Sequence, residues 1–217
     1  MMQEDFRQAD GAFNFRADFP ALLSHEYSIF RQFQRLEYTM YKQYRLAYLE
    51  HILQQQDDIS AANLQILIGY LQQFRPRIAV YAGSFNPFHL GHLNIVQKAE
   101  KIFDKVIIAR GQNPEKPASV QGWNIPALAG YQTSLFSGLL TEYLKEQSTY
   151  ADITLVKGLR NGDDLDYEVN QLRFMEGMYP DLKVVFLQCD KEFEHISSTA
   201  LRNLELIQPG LSHPYLP

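Results

Sequence analysis

An apolar run, Ile78-Ala79-Val80-Tyr81, passes directly into Ala-Gly-Ser-Phe-Asn-Pro-Phe-His-Leu-Gly-His, residues 82–92. Beyond it Ile95, Val96, Ala99, Ile102 and Phe103 recur at helical spacing. The pattern predicts a buried strand of a parallel sheet, a loop over residues 83–91 and a helix over 93–103. Gly83 and Gly91 let the backbone come close to a ligand, and Pro87 stiffens the turn. The helix start offers unpaired amide N–H groups and a positive dipole end, which suits phosphate. His89 and His92, three apart across Gly91, point into that anion site and can stabilise charge that builds on an attacked phosphorus. A histidine alone near a helix start is more often a cap or a solvated side chain. The pair, the glycines and the proline directly after a strand favour a nucleotide site.

The rest of the C-terminal two thirds alternates in the same way. Apolar runs at 105–109, 153–156 and 182–187 read as strands, with a shorter one at 131–136. Helical patterns fall at 139–145 and 163–178, and another runs from a Ser197-Ser198-Thr199 cap to about 207. Residues 110–130 are dense in turn formers and read as a long loop, a length often tied to function. This is the signature of an α/β, Rossmann-like parallel sheet.

The N-terminal third is different. Residues 1–20 scatter Phe6, Phe13, Phe15 and Phe19 without a period and read as an irregular arm. Residues 24–56 contain neither Gly nor Pro and read as one long helix, with Phe30, Phe33, Leu36, Met40, Tyr44 and Tyr48 at spacings of three and four. Its aromatic face is expected to pack on the remainder of the chain or on a second copy, since monomers seldom expose so much apolar surface. Ser60 is the expected cap of a further helix over 61–73, which Pro76 closes. Two sections follow: an α-helical extension, 1–76, and an α/β domain, 77–217.

Composition narrows the class of function. A formal charge of −5 argues against a nucleic-acid or anionic-membrane binder. No apolar run approaches a membrane span, and Met-Met-Gln-Glu-Asp at the N-terminus lacks a secretory pattern. The single cysteine, Cys189, excludes an internal disulfide framework and reads as a buried strand residue. A cytoplasmic protein is expected.

A second chemical stretch, Ile-Ser-Ser-Thr-Ala-Leu-Arg at 196–202, places three hydroxyls at a helix start with Arg202 one turn on. Hydroxyls and amides there hold phosphate oxygens well. Alone it is a common cap. Together with Gly83, Phe85, Pro87, His89, Gly91 and His92 it resembles the paired signatures of the nucleotidyltransferase superfamily, Gly-x-Phe-x-Pro-x-His-x-Gly-His and Ile-Ser-Ser-Thr-x-x-Arg.

A third stretch, Lys-Gly-Leu-Arg-Asn-Gly-Asp-Asp-Leu-Asp-Tyr-Glu at 157–168, is similar to bacterial phosphopantetheine adenylyltransferases, over residues 77–217 in all. The resemblance implies that the phosphate of 4′-phosphopantetheine attacks the α-phosphorus of ATP and pyrophosphate leaves, a step of coenzyme A biosynthesis. It implies catalytic roles for His92, His89 and Lys116, with His92 stabilising the transition state. It assigns ATP to Gly83, Ser84, Phe85, His92, Gly158, Arg160, Glu168, Ser197, Ser198 and Thr199. The acceptor falls to Ser84, Lys116, Leu139 and Lys157. Independently of the family, the fork of Arg160 matches phosphate oxygens bidentately. Asp163, Asp164 and Asp166 are read as helix-start capping rather than a metal cluster, and Mg2+ is expected to arrive with ATP, with no metal site on the protein.

Some residues lean another way. His89 replaces the family's Thr, and Thr199 and Arg202 replace Ser and Lys, as in nicotinate mononucleotide adenylyltransferases. Lys157 replaces an arginine, the stretch between Lys116 and Tyr131 is short, and the helical extension is foreign to the compact bacterial enzyme. Nicotinate mononucleotide therefore stands as the alternative acceptor, and a non-catalytic nucleotide-binding regulatory module as the alternative class. A homo-oligomer or intramolecular packing through the helix 24–56 is expected to involve the extension.

Overall fold

A computed structural model describes residues 2–112 and 125–217 and divides the chain into two compact units, Met1–Arg75 and Pro76–Pro217. The first is all helical, with α1 at Met2–Asp10, α2 at Phe19–Gln32, α3 at Tyr38–Leu53 and α4 at Asp58–Gln73. The expected irregular arm therefore contains a helix, and its Phe6 is fully buried against the rings of Phe33, Tyr41 and Tyr48.

The expected single helix over 24–56 is two helices separated by a turn at 33–37. No Gly or Pro announces the break, and tertiary packing supplies its reason. In one straight helix Glu26 and Arg45 would stand about 28 Å apart at 1.5 Å per residue. The turn brings them to 2.8 Å. Arg45, fully buried, also grips Asp10 through two hydrogen bonds of 2.9 and 3.0 Å, and the Tyr41 hydroxyl donates to Glu26 at 2.6 Å. His25 lies 2.9 Å from Asp10. The aromatic face, expected to pack on the remainder of the chain or on a second copy, is largely covered inside the chain: Phe30, Tyr38, Tyr41 and Tyr48 are buried, with one another's rings and that of Phe6 among their contacts. The cap of α4 also differs from expectation: the Asp57 carboxylate accepts from the Ile59 and Ser60 amides, whereas Ser60 lies inside the helix.

The second unit holds a five-stranded parallel sheet in the order β3-β2-β1-β4-β5. Its elements run β1 Arg77–Gly83, α5 Leu90–Glu100, β2 Lys105–Gln112, β3 Gln132–Ser137, α6 Leu140–Gln147, β4 Asp152–Leu159, α7 Gly162–Met178, β5 Val184–Gln188 and α8 Ser198–Ile207. β1 is the central strand, with Tyr81 opposite Ile108 of β2 and Val156 of β4. Ala79, Val80, Ile108 and Val156 are completely buried, as are Val96 and Ala99 of α5. The near-continuous apolar strands follow from a sheet covered on both faces. The sheet first grows from β1 through β2 to β3, then resumes on the other side with β4. That reversal opens a crevice between the C-terminal ends of β1 and β4, where such sheets hold ligands.

Candidate active site

A cavity of about 330 Å³ lies at this reversal, a size suited to a small ligand. Four separate segments line it. Tyr81 comes from the C-terminal half of β1, and His89, Gly91, His92 and Ile95 come from the loop and the first turns of α5. Gly158, Leu159 and Arg160 follow from β4, with Asp164, Tyr167 and Glu168 from α7. Cys189, Phe193, Ile196, Ser197 and Ser198 complete it from the stretch after β5 and the start of α8.

The histidine loop is held by its own aromatic residues. Phe85 takes a left-handed backbone with φ 46°, a conformation that costs a side-chain-bearing residue about 1–2 kcal/mol. Burial of its ring among Tyr81, Phe88 and His92, at centroid distances of 5.0–5.4 Å, offsets that cost. Gly83 permits the fold-back, because a Cβ there would meet the Phe85 ring at 2.9 Å. Gly158 is similarly constrained, with Ile95 only 3.0 Å from where a Cβ would stand.

His89 and His92 stack with centroids 3.6 Å apart, and His89 is buried. The backbone N–H of His89 donates to Nδ1 of His92 at 3.2 Å. An amide can only donate, so Nδ1 carries no proton and neutral His92 holds its hydrogen on Nε2. Burial pushes both imidazoles down, His89 to about 4 with a further contribution from Arg160, and His92 well below the ordinary range with help from His89 and Arg160. At neutral pH the pair is uncharged, and His92 offers an N–H donor. Nδ1 of His89 is buried and has no hydrogen-bond partner among the described residues.

Arg160 is already oriented. Its Nε and Nη2 donate to the Asp164 carboxylate at 2.9 and 2.6 Å, and its backbone N–H donates there at 2.8 Å. The Asp164 hydrogen bonds raise the guanidinium pKa and hold the carboxylate below its usual range. The capping expectation is thereby corrected for this residue: Asn161 caps α7 by accepting from the Asp164 amide, and Asp164 orients Arg160.

Sequence expectation and geometry meet unevenly. His89, His92, Gly158, Arg160, Glu168, Ser197 and Ser198 converge on the cavity. Phe85 stands behind His92 as packing, and Ser84 is exposed at the start of the loop. Thr199 is exposed and accepts from Arg202 at 2.9 Å, while Ser198 donates to the Pro87 carbonyl at 2.9 Å. Arg202 donates to the Asn86 carbonyl, so the serine motif ties α8 to the histidine loop. Lys157 pairs with Glu168 at 2.8 Å, an ion contact whose angle leaves Glu168 Oε2 without a directed hydrogen bond. Leu139 is exposed just before α6, beyond β3 and outside the cavity lining. Lys116 lies outside the described residues. Tyr81, Cys189 and Phe193 line the cavity without sequence signals that marked them.

The family model that matches the chain is cytidylyltransferase-like, over residues 80–125. Curated relatives named phosphopantetheine adenylyltransferase include that of Haemophilus ducreyi, 32% identical over 58% of this chain and 81% of its own length. Those of Thermosynechococcus vestitus and Alkaliphilus metalliredigens are 31% and 29% identical, each over 63% of this chain and over 84% and 90% of their own lengths. Among solved structures, a bifunctional NMN adenylyltransferase/ADP ribose pyrophosphatase from Francisella tularensis aligns at 18% identity and a TM-score of 0.43, over 65% of this chain and 44% of that one.

Proposed function

The chain belongs to the nucleotidyltransferase superfamily, alongside the phosphopantetheine adenylyltransferases, and from that premise we propose that it moves the adenylyl group of ATP to 4′-phosphopantetheine. An oxygen of the acceptor phosphate forms a bond to the α-phosphorus of ATP. The bond from that phosphorus to the bridging oxygen breaks, and pyrophosphate leaves. No covalent enzyme intermediate is required, and catalysis comes from alignment and charge stabilisation.

One observation carries the reading: His89 and His92, Arg160, and Ser197 come from three distant segments to a single cavity at the strand-order reversal. The Nε2–H of His92 would donate to an α-phosphoryl oxygen as negative charge grows there. Arg160 would exchange part of its Asp164 contact for ATP phosphate, and the amides and hydroxyls at the start of α8 would add further donors. Gly158 and Glu168 complete the ATP side. Mg2+ would enter with ATP as part of the substrate. Among the described residues the cavity has two acidic ones, Asp164 and Glu168, each matched by a cation, Arg160 and Lys157. On the acceptor side we retain Ser84, Lys116 and Leu139, with Lys157 reaching the acceptor only by releasing Glu168.

Nicotinate mononucleotide is the second reading, favoured by His89, Thr199 and Arg202. The geometry weakens its support, because Arg202 and Thr199 bond to each other and Arg202 to the loop carbonyl at Asn86. The test is pyrophosphate release from MgATP with each acceptor in parallel. Release with 4′-phosphopantetheine and not with nicotinate mononucleotide is expected; the reverse would overturn the assignment.

A further inference from the structure

Two walls of the cavity come from parts of the chain almost a hundred residues apart. α5 contributes His92 and Ile95, and the stretch after β5 contributes Cys189, Phe193 and Ser197. The walls approach closely, with the Phe193 Cβ 3.7 Å from where a side chain on Gly91 would begin. Between His92 and Ile95 sits Asn94, only 7% exposed. Its Nδ2 donates to Asp190 Oδ2 at 2.7 Å, and its Oδ1 accepts from the Asp190 amide at 3.0 Å. One turn further along α5, Lys98 Nζ reaches the other Asp190 oxygen at 2.7 Å and the Gln188 carbonyl at 2.6 Å. Asp190 directly follows Cys189, and its carboxylate is thus held by two residues of the helix that carries the histidines.

We infer that Asn94, Asp190 and Lys98 form a clamp that sets the distance between the His92 wall and the Ser197 wall, so that the three are positioning residues for adenylyl transfer. The inference rests on the activity proposed above. A two-way amide–carboxylate contact fixes both separation and rotation of the groups it joins. The lysine completes the charge pairing of the Asp190 carboxylate, whose pKa it lowers together with Asn94. None of the three lines the cavity. Their effect therefore falls on alignment: a misplacement of about 1 Å in the reacting groups can cost a hundredfold in rate while binding groups remain present.

Asn94→Leu keeps the bulk of the side chain and removes both hydrogen bonds. It should lower kcat about ten- to hundredfold, with the Kd for ATP within about threefold of wild type. Asn94→Asp, which sets two carboxylates face to face, should be at least as damaging. The reciprocal pair Asn94→Asp/Asp190→Asn exchanges amide and carboxylate across the same contact, keeps a carboxylate one turn from Lys98, and should recover most of kcat. Amide hydrogen exchange needs no turnover, and in Asn94→Leu it should quicken across 189–199. The clamp is refuted by unchanged exchange there, by ATP affinity that falls in step with kcat, or by a reciprocal pair no better than Asn94→Asp. If the wild-type chain releases no pyrophosphate with any acceptor, the activity reading is what fails, and the exchange measurement still decides the clamp.

Discussion

The two units handle buried charge in opposite ways. In the helical unit Arg45 is sealed between Asp10 and Glu26, and the aromatic-lined cleft beside it has room for about 20 Å³, one water at most. Burial pulls the Arg45 pKa down, but Glu26 and Asp10 raise it further, so the guanidinium stays charged. In the sheet unit Arg160–Asp164 and Lys157–Glu168 are partly exposed at the edge of a cavity of about 330 Å³. A pair with room beside it for no more than a water can only hold the fold, because no ligand group can enter to replace either partner. An open pair can trade a carboxylate for a phosphate. The same chemistry of cation and carboxylate is structural in one unit and exchangeable in the other, and access alone makes the difference.

The largest effect should come from opening the sealed cluster. Arg45→Ala leaves Asp10 and Glu26 buried without their cation and should cost about 3–5 kcal/mol in urea unfolding of the helical unit. A loss below about 1 kcal/mol would show that the cluster is hydrated and not sealed. Next in size is His92→Ala, which removes a donor from the open unit. It should cost about 3–4 kcal/mol of barrier, read as a fall in kcat, with ATP affinity changed by a few-fold at most. Affinity that collapses while kcat holds would make His92 a binding group.

Acid should separate the units further. The His89 pKa, about 4, lies below its unfolded value of about 6.5, so the unfolded chain binds the extra proton first. His89 therefore contributes stability that is complete above about pH 6.5 and is lost as pH falls towards 4. Thermal melts from pH 7 to 4.5 should show a decline for the sheet unit that His89→Gln makes shallower. A slope unchanged by that substitution would remove His89 as its source. The smallest expected effect concerns Lys157. If its work is to hold Glu168, then Lys157→Ala and Glu168→Gln should each raise the KM for ATP by several-fold and the double variant no further. An increase confined to the acceptor KM after Lys157→Ala would place the lysine on the acceptor instead.

What the sequence made legible follows the same division. In the sheet unit strands and helices change period at Gly, Pro and Ser markers, so β1, α5, β4 and α8 could be read from local pattern. His89, His92, Arg160 and Ser197 stood within recognisable stretches. The helical unit carried no such punctuation. The break after α2 is set by contacts among residues 10, 26, 41 and 45, which only the folded chain brings together, and α1 was hidden by phenylalanines that fit no period. Asp190 was equally unreadable: its partners Asn94 and Lys98 are distant in the chain, and a lone Asp after a strand looks like ordinary turn chemistry.

The joint between the serine motif and the histidine loop has a consequence for how this chain can vary. Ser198 and Arg202 grasp main-chain carbonyls, those of Pro87 and Asn86, over more than 110 residues of sequence. A carbonyl is offered by every amino acid. Point substitutions at position 86 can therefore drift without loosening the joint, whereas one inserted or deleted residue anywhere in the loop would shift the carbonyls out of reach. Natural variation at this seam should be free in letter and strict in length.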